Sequence, residues 1–94
     1  QNYTRHKTFT FTTSSSSAED AVILAGNMEE ANKVSFIVES ADAYIAFDED
    51  ATTSSMLIPE NEGYFDDSIW FGTKISIIRA GSTNVRIRGI IWGR

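Results

Sequence analysis

The chain has 94 residues, enough for one domain but not for two independent cores. It contains no cysteine, which excludes disulfides, thiolate metal sites and cysteine nucleophiles. Its formal net charge of −5 argues against general nucleic-acid binding, and no apolar run approaches the roughly 20 residues that a membrane-spanning helix needs.

The N-terminal third predicts a polar arm followed by a strand. Residues 1–6 are polar and unpatterned, so we expect a flexible arm, with one domain over residues 7–94. Threonine and phenylalanine alternate over residues 7–13, which predicts a strand with one buried face. A serine run at 14–17 predicts a loop.

Two shorter segments follow the serine loop. The apolar run over residues 21–25 fits either a buried strand or a helical turn. Residues 28–32 could form one helical turn, too short to act as a packing layer. Neither segment predicts an amphipathic helix.

The middle of the chain predicts two strands and an acidic loop. Apolar residues alternate with polar ones over 33–39 and again over 43–47, and the turn-like residues 40–42 between them favour a hairpin. Residues 48–50 read Asp-Glu-Asp, which predicts a solvated loop or, alternatively, a weak calcium site completed by a second loop.

The C-terminal part predicts further strands. A short strand over 56–58 is stopped by Pro59, a strand over 74–79 follows, and residues 80–84 form a loop of hairpin length. The last strand, 85–92, places one apolar set on one face and a mixed set on the other. The apolar set is Val85, Ile87 and Ile91, and the mixed set is Arg86, Arg88, Ile90 and Trp92.

The pattern as a whole predicts an all-β protein. About seven to nine short strands recur with turn signals between them, and no segment carries a convincing amphipathic-helix pattern. We therefore expect a single antiparallel β-sandwich domain, with a jelly-roll-like arrangement as the first choice.

Charge is divided unevenly along the chain. All 13 acidic residues lie between Glu19 and Asp67, and every residue from Ser68 onward that is charged is basic. One interpretation is that strands from the two halves pair and offset each other's charge. The other is a bipolar surface that docks on copies of itself or on a larger lattice.

The sequence offers little for catalysis. His6 is the only histidine and lies in the polar arm, so triads and histidine metal sites have at most one imidazole. The glycines are scattered singly and form no phosphate-binding loop. A pair of carboxylates could serve a glycosidase, but a sandwich of this size leaves little room for a deep cleft. We expect no enzymatic activity, no cofactor and no metal.

The aromatic segments are the candidates for partner binding. Core packing is the alternative for each of them, since a domain this small must bury large side chains somewhere. Arginine and tryptophan together are typical of interface centres. The candidate partner-binding residues are Tyr64, Phe65, Trp70, Phe71, Arg86, Arg88 and Trp92.

Four local patterns, in this order and spacing, resemble small β-sandwich virion proteins of tailed bacteriophages, of the head-decoration, head-fibre and neck-adaptor types. They are Val34-Ser35-Phe36 leading to Asp42-Ala43-Tyr44-Ile45-Ala46-Phe47; Ala51-Thr52-Thr53; Ser55-Met56-Leu57-Ile58-Pro59-Glu60-Asn61; and Gly72-Thr73-Lys74-Ile75-Ser76-Ile77-Ile78-Arg79-Ala80-Gly81. Together they cover about half of the chain.

The resemblance implies a many-copy structural subunit of the virion, assembled in the host cytoplasm. It implies binding to the major capsid or neck protein, as a homo-oligomer with a trimer favoured, and it implies no catalytic residue. Decoration of the capsid is favoured over a fibre or adaptor role. The alternatives are a carbohydrate-binding, lectin-like module that uses exposed aromatic side chains, and a non-viral adhesion or surface-layer domain.

Overall fold

The computed structural model describes residues 4–94. Within them the chain forms eight strands and no helix. The strands are β1 (Arg5–Thr12), β2 (Glu19–Ile23), β3 (Ala31–Glu39), β4 (Ala43–Phe47), β5 (Met56–Ile58), β6 (Gly63–Asp66), β7 (Lys74–Arg79) and β8 (Arg86–Gly93). The all-β class and the predicted number of strands are confirmed, and no helix of the described part is long and apolar enough to cross a membrane.

Two four-stranded antiparallel sheets form a sandwich-like arrangement. The first sheet has the order β1-β8-β3-β6 and the second the order β2-β7-β4-β5. One hydrophobic core lies between them, because the apolar parity of each strand faces the other sheet. Its largest fully buried side chains include Phe71, Leu24, Ile75 and Ile91.

The strict alternation of the sequence explains which side of each strand is buried. Val34, Phe36 and Val38 of β3 are buried, while Ile37 between them is exposed. Successive side chains of a strand point to opposite faces, so each strand contributes one side to the core and one to the surface. The predicted faces of β3, β4 and β8 are therefore confirmed.

The predicted hairpins are wrong. β3 belongs to the first sheet and β4 to the second, so residues 40–42 carry the chain from one sheet to the other. The loop over 80–84 does the same between β7 and β8. Within residues 4–94, β4 and β5 are the only strands that follow one another in the chain and also pair. Alternation predicts which face of a strand is buried, but it does not encode the neighbouring strand.

Three predicted boundaries also change. β1 begins two residues earlier than predicted, because Arg5 pairs with Gly93 and His6 with Trp92; residues 1–3 of the predicted arm lie outside the described part. The apolar run over 21–25 enters strand β2. The predicted helical turn over 28–32 is wrong, since β3 starts at Ala31 and the turn lies earlier, where Met28 N–H donates to the Leu24 carbonyl at 3.0 Å.

Candidate binding face

The outer side of the first sheet brings four of the predicted partner-binding residues together. β8 contributes Arg86, Arg88 and Trp92 to it, and β6 contributes Phe65. The register also places apolar side chains of β3 and β8 between them. We call the set Lys33, Ile37, Phe65, Arg86, Arg88, Ile90 and Trp92 the aromatic face.

Register fixes the arrangement of the aromatic face in rows across the strands. Ile90 and Phe65 both lie beside Ser35 of β3, one on each flank. The next outward-facing pair toward the C-terminal end of β3 is Ile37 with Arg88. Ile37 and Ile90 therefore lie on the two central strands of the sheet, while Phe65 lies on the edge strand β6.

A lysine joins the two aromatic rings of the face. The Lys33 ammonium lies 4.6 Å from the ring centroid of Trp92 and 5.6 Å from that of Phe65. Both distances are within the range of cation–π attraction. Lys33 therefore links β6 and β8 across β3 and covers part of both rings. Phe65 nevertheless keeps 59% of its surface exposed.

Glu39 holds the two arginines in place. Its two carboxylate oxygens accept from Arg86 Nε and from Arg88 Nη2, each at 2.9 Å. Burial raises the pKa of Glu39, but the hydrogen bonds and charges of the two arginines outweigh it and leave the pKa below its ordinary value. One carboxylate thus fixes two guanidinium groups and neutralises half of their charge.

Trp70 lies outside the sheet, at the end where β3 begins. Its Nε1–H donates to Glu30 Oε1 at 3.0 Å, and Glu30 Oε2 accepts from Arg94 Nε at 2.9 Å. The hydrogen bond from Trp70, followed by that from Arg94, lowers the pKa of Glu30. The indole is 62% exposed, the largest value among the large apolar side chains of the described residues.

Two of the predicted partner-binding residues belong to the core instead. Phe71 is fully buried, and its backbone forms an isolated antiparallel bridge with Ala31. Tyr64 points inward, where its ring stacks on Phe36 at a centroid distance of 5.5 Å. Trp70 is exposed while its neighbour Phe71 is buried, because successive side chains of an extended segment point to opposite sides and the bridge to Ala31 turns Phe71 inward.

Lys33 and Ile37 were not predicted as members of this surface. Ile90 was predicted on the same side of the last strand as the two arginines but not as a partner-binding residue. A detectable signal exists for the isoleucines: Ile37 and Ile90 are apolar residues at the outward parity of their strands. Apolar residues at the outward parity of neighbouring strands form a contiguous surface patch, which indicates an interaction site where a single exposed apolar residue would not. Lys33 has no comparable signal, because lysine is the ordinary outward-facing residue.

Two carboxylates of the acidic loop, those of Asp48 and Asp50, bind groups within the protein. Asp48 carboxylate oxygens accept from the backbone N–H groups of Gly72, Thr73 and Lys74 and from Thr73 Oγ1, at 2.7–3.3 Å. Asp50 pairs with Lys74. Within residues 4–94 no group of three or more histidine, aspartate or glutamate side chains is placed to hold a metal ion.

The ion pairs join the acidic and basic parts of the chain, as the first interpretation of the charge pattern predicted. Glu39 pairs with Arg86 and Arg88, and Glu30 with Arg94. Lys74 pairs with Asp20 and Asp50. In every one of these pairs the acid precedes Ser68 and the base follows it.

Comparisons of the chain with protein-family models, with curated proteins and with solved structures found no match. Its function is therefore inferred from its own residues and from the resemblance described above.

Proposed function

We propose that this protein is a non-enzymatic structural component of a tailed-phage virion that decorates the head by docking on the major capsid protein. The observation that carries the proposal is the aromatic face. It combines exposed or half-buried apolar side chains with two arginines on the outer surface of one sheet. Such a composition is typical of the centre of a protein–protein interface.

The structure of the aromatic face supports a protein partner. Phe65 and Ile37 are exposed, and Ile90 and Trp92 are half-buried, so docking would remove apolar area from water. The arginines are held by Glu39 before any partner arrives, which lowers the side-chain entropy lost on binding. The two arginine side chains keep about half of their surface accessible, and their guanidinium groups can donate further hydrogen bonds to carboxylates of a partner.

We further propose that the sandwich is a jelly roll. The strand order supports it: the chain changes sheet at every connection between the eight strands other than that from β4 to β5. The first and last strands, β1 and β8, pair side by side. Jelly rolls are eight-stranded double sheets that recur in viral capsid proteins and in lectins, so this fold agrees with the leading function and with its alternative.

Quantitative mass spectrometry of density-purified particles from the source tests the virion role. We expect hundreds of copies of this chain per particle relative to the major coat protein. About a dozen copies would place the protein at the neck, tail or a vertex fibre instead of the shell, and complete absence would contradict the virion role.

A variant pair tests the aromatic face in the same particles. Particles lacking this protein are incubated with purified wild-type chain, with Phe65→Asp and with Thr53→Asp, a matched exposed position in the loop between β4 and β5. We expect Phe65→Asp to bind at least about tenfold more weakly, since it puts a charge in place of the most exposed apolar side chain of the face. Equal binding of all three proteins would show that docking uses another surface.

Carbohydrate binding is the second candidate, and the exposed indole of Trp70 is the observation that favours it. A flat aromatic ring beside a carboxylate is a plausible sugar platform, although both oxygens of Glu30 are already engaged. The rings of Trp92 and Phe65 serve this role less well because Lys33 lies over both. A glycan array with no ligand that depends on Trp70 would remove this candidate.

A further inference from the structure

Within residues 4–94, no strand pairs with the outer edge of β1 in the first sheet. Among the described residues β1 pairs with β8 alone, over its full span Arg5–Thr12. Beside its other edge runs an open cleft of about 530 Å³ toward β2, with Phe9 and Val22 among its lining residues. The unpaired side of β1 is therefore accessible along this flank of the molecule.

The other three edge strands carry features that discourage pairing with another chain. β5 has three residues and is followed by Pro59, and β6 has four residues. β2 has a register irregularity between Asp20 and Val22. Short strands, prolines, bulges and charged side chains are the usual protection of sheet edges. β1 has eight residues, regular register and neither proline nor glycine, and its charged residues Arg5 and Lys7 are confined to its N-terminal end, which leaves residues 8–12 without these protections.

Hydrogen-bond parity shows which backbone groups of β1 are available. Thr13 and Val85 are the next pair in the β1–β8 register, and Thr13 N–H donates to the Val85 carbonyl at 2.9 Å. This pair is therefore a hydrogen-bonded one. Hydrogen-bonded and non-hydrogen-bonded pairs alternate along an antiparallel ladder. The odd-numbered residues of β1 therefore bond to β8. The N–H and C=O groups of His6, Thr8, Thr10 and Thr12 point to the open edge.

We propose that β1 pairs with β1 of a second copy of this chain, antiparallel across a two-fold axis, to give one continuous eight-stranded sheet. The outward-pointing N–H and C=O groups of the two copies can hydrogen-bond to each other when Thr8 lies opposite Thr10 of the second copy and His6 lies opposite Thr12. This register uses the entire open edge. It also places the two Phe9 side chains opposite each other on the core side, and aromatic cross-strand pairs stabilise sheets.

Charge does not oppose a second copy in this register. The cationic end of β1, Arg5-His6-Lys7, lies opposite residues 11–13 of the other copy, which are uncharged. The centre of the strand, residues 8–12, carries no charge that would repel its symmetry mate. The exposed Ile23 of β2 borders the same cleft, so pairing would also shield apolar surface there.

A proline placed at an outward-pointing N–H tests whether the edge is used. Thr10→Pro removes a donor that faces away from β8 and puts a ring in the path of an incoming strand, while the β1–β8 ladder keeps its bonds. We expect sedimentation equilibrium to show a dimer for the wild-type chain and for the control Thr10→Val. Thr10→Pro should be monomeric, with an unchanged far-ultraviolet circular dichroism spectrum.

A charge pair tests the register without relying on proline. Thr8→Lys with Thr10→Lys places lysines opposite each other twice across the axis, and we expect the dimer dissociation constant to rise about tenfold or more. Thr8→Lys with Thr10→Glu places opposite charges there and should restore the wild-type constant or lower it.

Three outcomes would overturn the proposal. They are a wild-type chain that stays monomeric at millimolar concentration, a dimer that neither Thr10→Pro nor the lysine pair weakens, and a trimer, which the resemblance favours. Because these measurements use the purified chain alone, they can fail while the virion role holds, and the reverse is also true.

Discussion

At the scale of single residues, Asp48 is the clearest example of a side chain that determines backbone geometry. It adopts a left-handed backbone conformation with φ 64°, which aspartate and asparagine tolerate better than most residues. Its carboxylate accepts the N–H groups of three successive residues, Gly72 to Lys74. The loop after β4 is thereby joined to the start of β7, a contact that spans 24 to 26 positions in the chain.

We expect Asp48→Ala to lower the free energy of unfolding by about 1–2 kcal/mol. The variant loses charge-assisted hydrogen bonds at a solvent-exposed site, where solvent screening reduces their contribution to stability. Asp48→Asn should lose less, because it keeps one acceptor oxygen and tolerates the left-handed conformation. Urea denaturation at pH 7 measures both. An alanine variant as stable as the wild type would show that the amides are satisfied equally well by water.

The same carboxylate makes a definite prediction for acid. Burial raises the pKa of Asp48, but the hydrogen bonds from Gly72, Thr73 and Lys74 outweigh it and leave the pKa below its ordinary value. Because the pKa of Asp48 is lower in the folded than in the unfolded state, the stabilisation is complete above the unfolded-state pKa of about 4. It is lost as the pH falls through the folded-state pKa. Between about pH 5 and pH 2, stability should therefore fall less steeply in Asp48→Asn than in the wild type, as urea midpoints measure.

At the scale of elements, the sequence predicted the strands better than their partners. β3 and β8 were found with nearly correct bounds because alternation over many residues is a strong local signal. The pairing of β8 with both β1 and β3 joins residues distant in the chain, and no local pattern encodes it.

The candidate site shows the same limit, because residue type could be predicted from the sequence but side-chain orientation could not. Phe65 and Trp92 were identified by residue type, while Phe71 was wrong because its orientation depends on a bridge to Ala31.

Gly89 is an element-scale requirement that the long-range pairing creates. It lies between Phe9 of β1 and Phe36 of β3 in the register of the first sheet. A Cβ atom at this position would lie 2.5 Å from Phe36 Cβ and 2.8 Å from Phe36 Cα, and against the Ser35 carbonyl oxygen. Glycine in the centre of the sheet thus allows β3 to approach β8 closely.

We expect Gly89→Ala to destabilise the protein by about 2–3 kcal/mol, because the clash involves backbone atoms and cannot be relieved by a rotamer change. Gly81→Ala is the matched control. A Cβ atom there would meet nothing within 4 Å, so its effect should stay within about 0.5 kcal/mol. Thermal or urea unfolding compares the two, and equal stabilities would show that the strands can separate slightly at little cost.

At the scale of the whole molecule, the division of charge along the chain has a structural consequence. The acidic residues and their basic partners are far apart in sequence, and the ion pairs form only when the strands of each sheet assemble. Each exposed pair contributes little to stability. Their common direction nevertheless favours the pairings β2–β7 and β3–β8, each of which joins a strand of the acidic half to one of the basic half.

The topology also determines how fast the whole molecule folds. Within residues 4–94, β4 with β5 is the only strand pair formed between chain neighbours, and the pairing of β1 with β8 closes a loop of nearly the full chain. Closing such loops costs entropy before the contacts that stabilise them can form. We therefore expect refolding on a timescale of milliseconds to seconds, slower than that of helical domains of this length.

Stopped-flow tryptophan fluorescence after dilution from urea measures the refolding rate, with Trp92 in β8 as the reporter and Trp70→Phe to isolate its signal. Since β8 lies between β1 and β3, its fluorescence should change in the main folding phase. An early change in microseconds, before the rest of the sheet forms, would show that β8 collapses first on β3 and that the closure of β1 is not limiting.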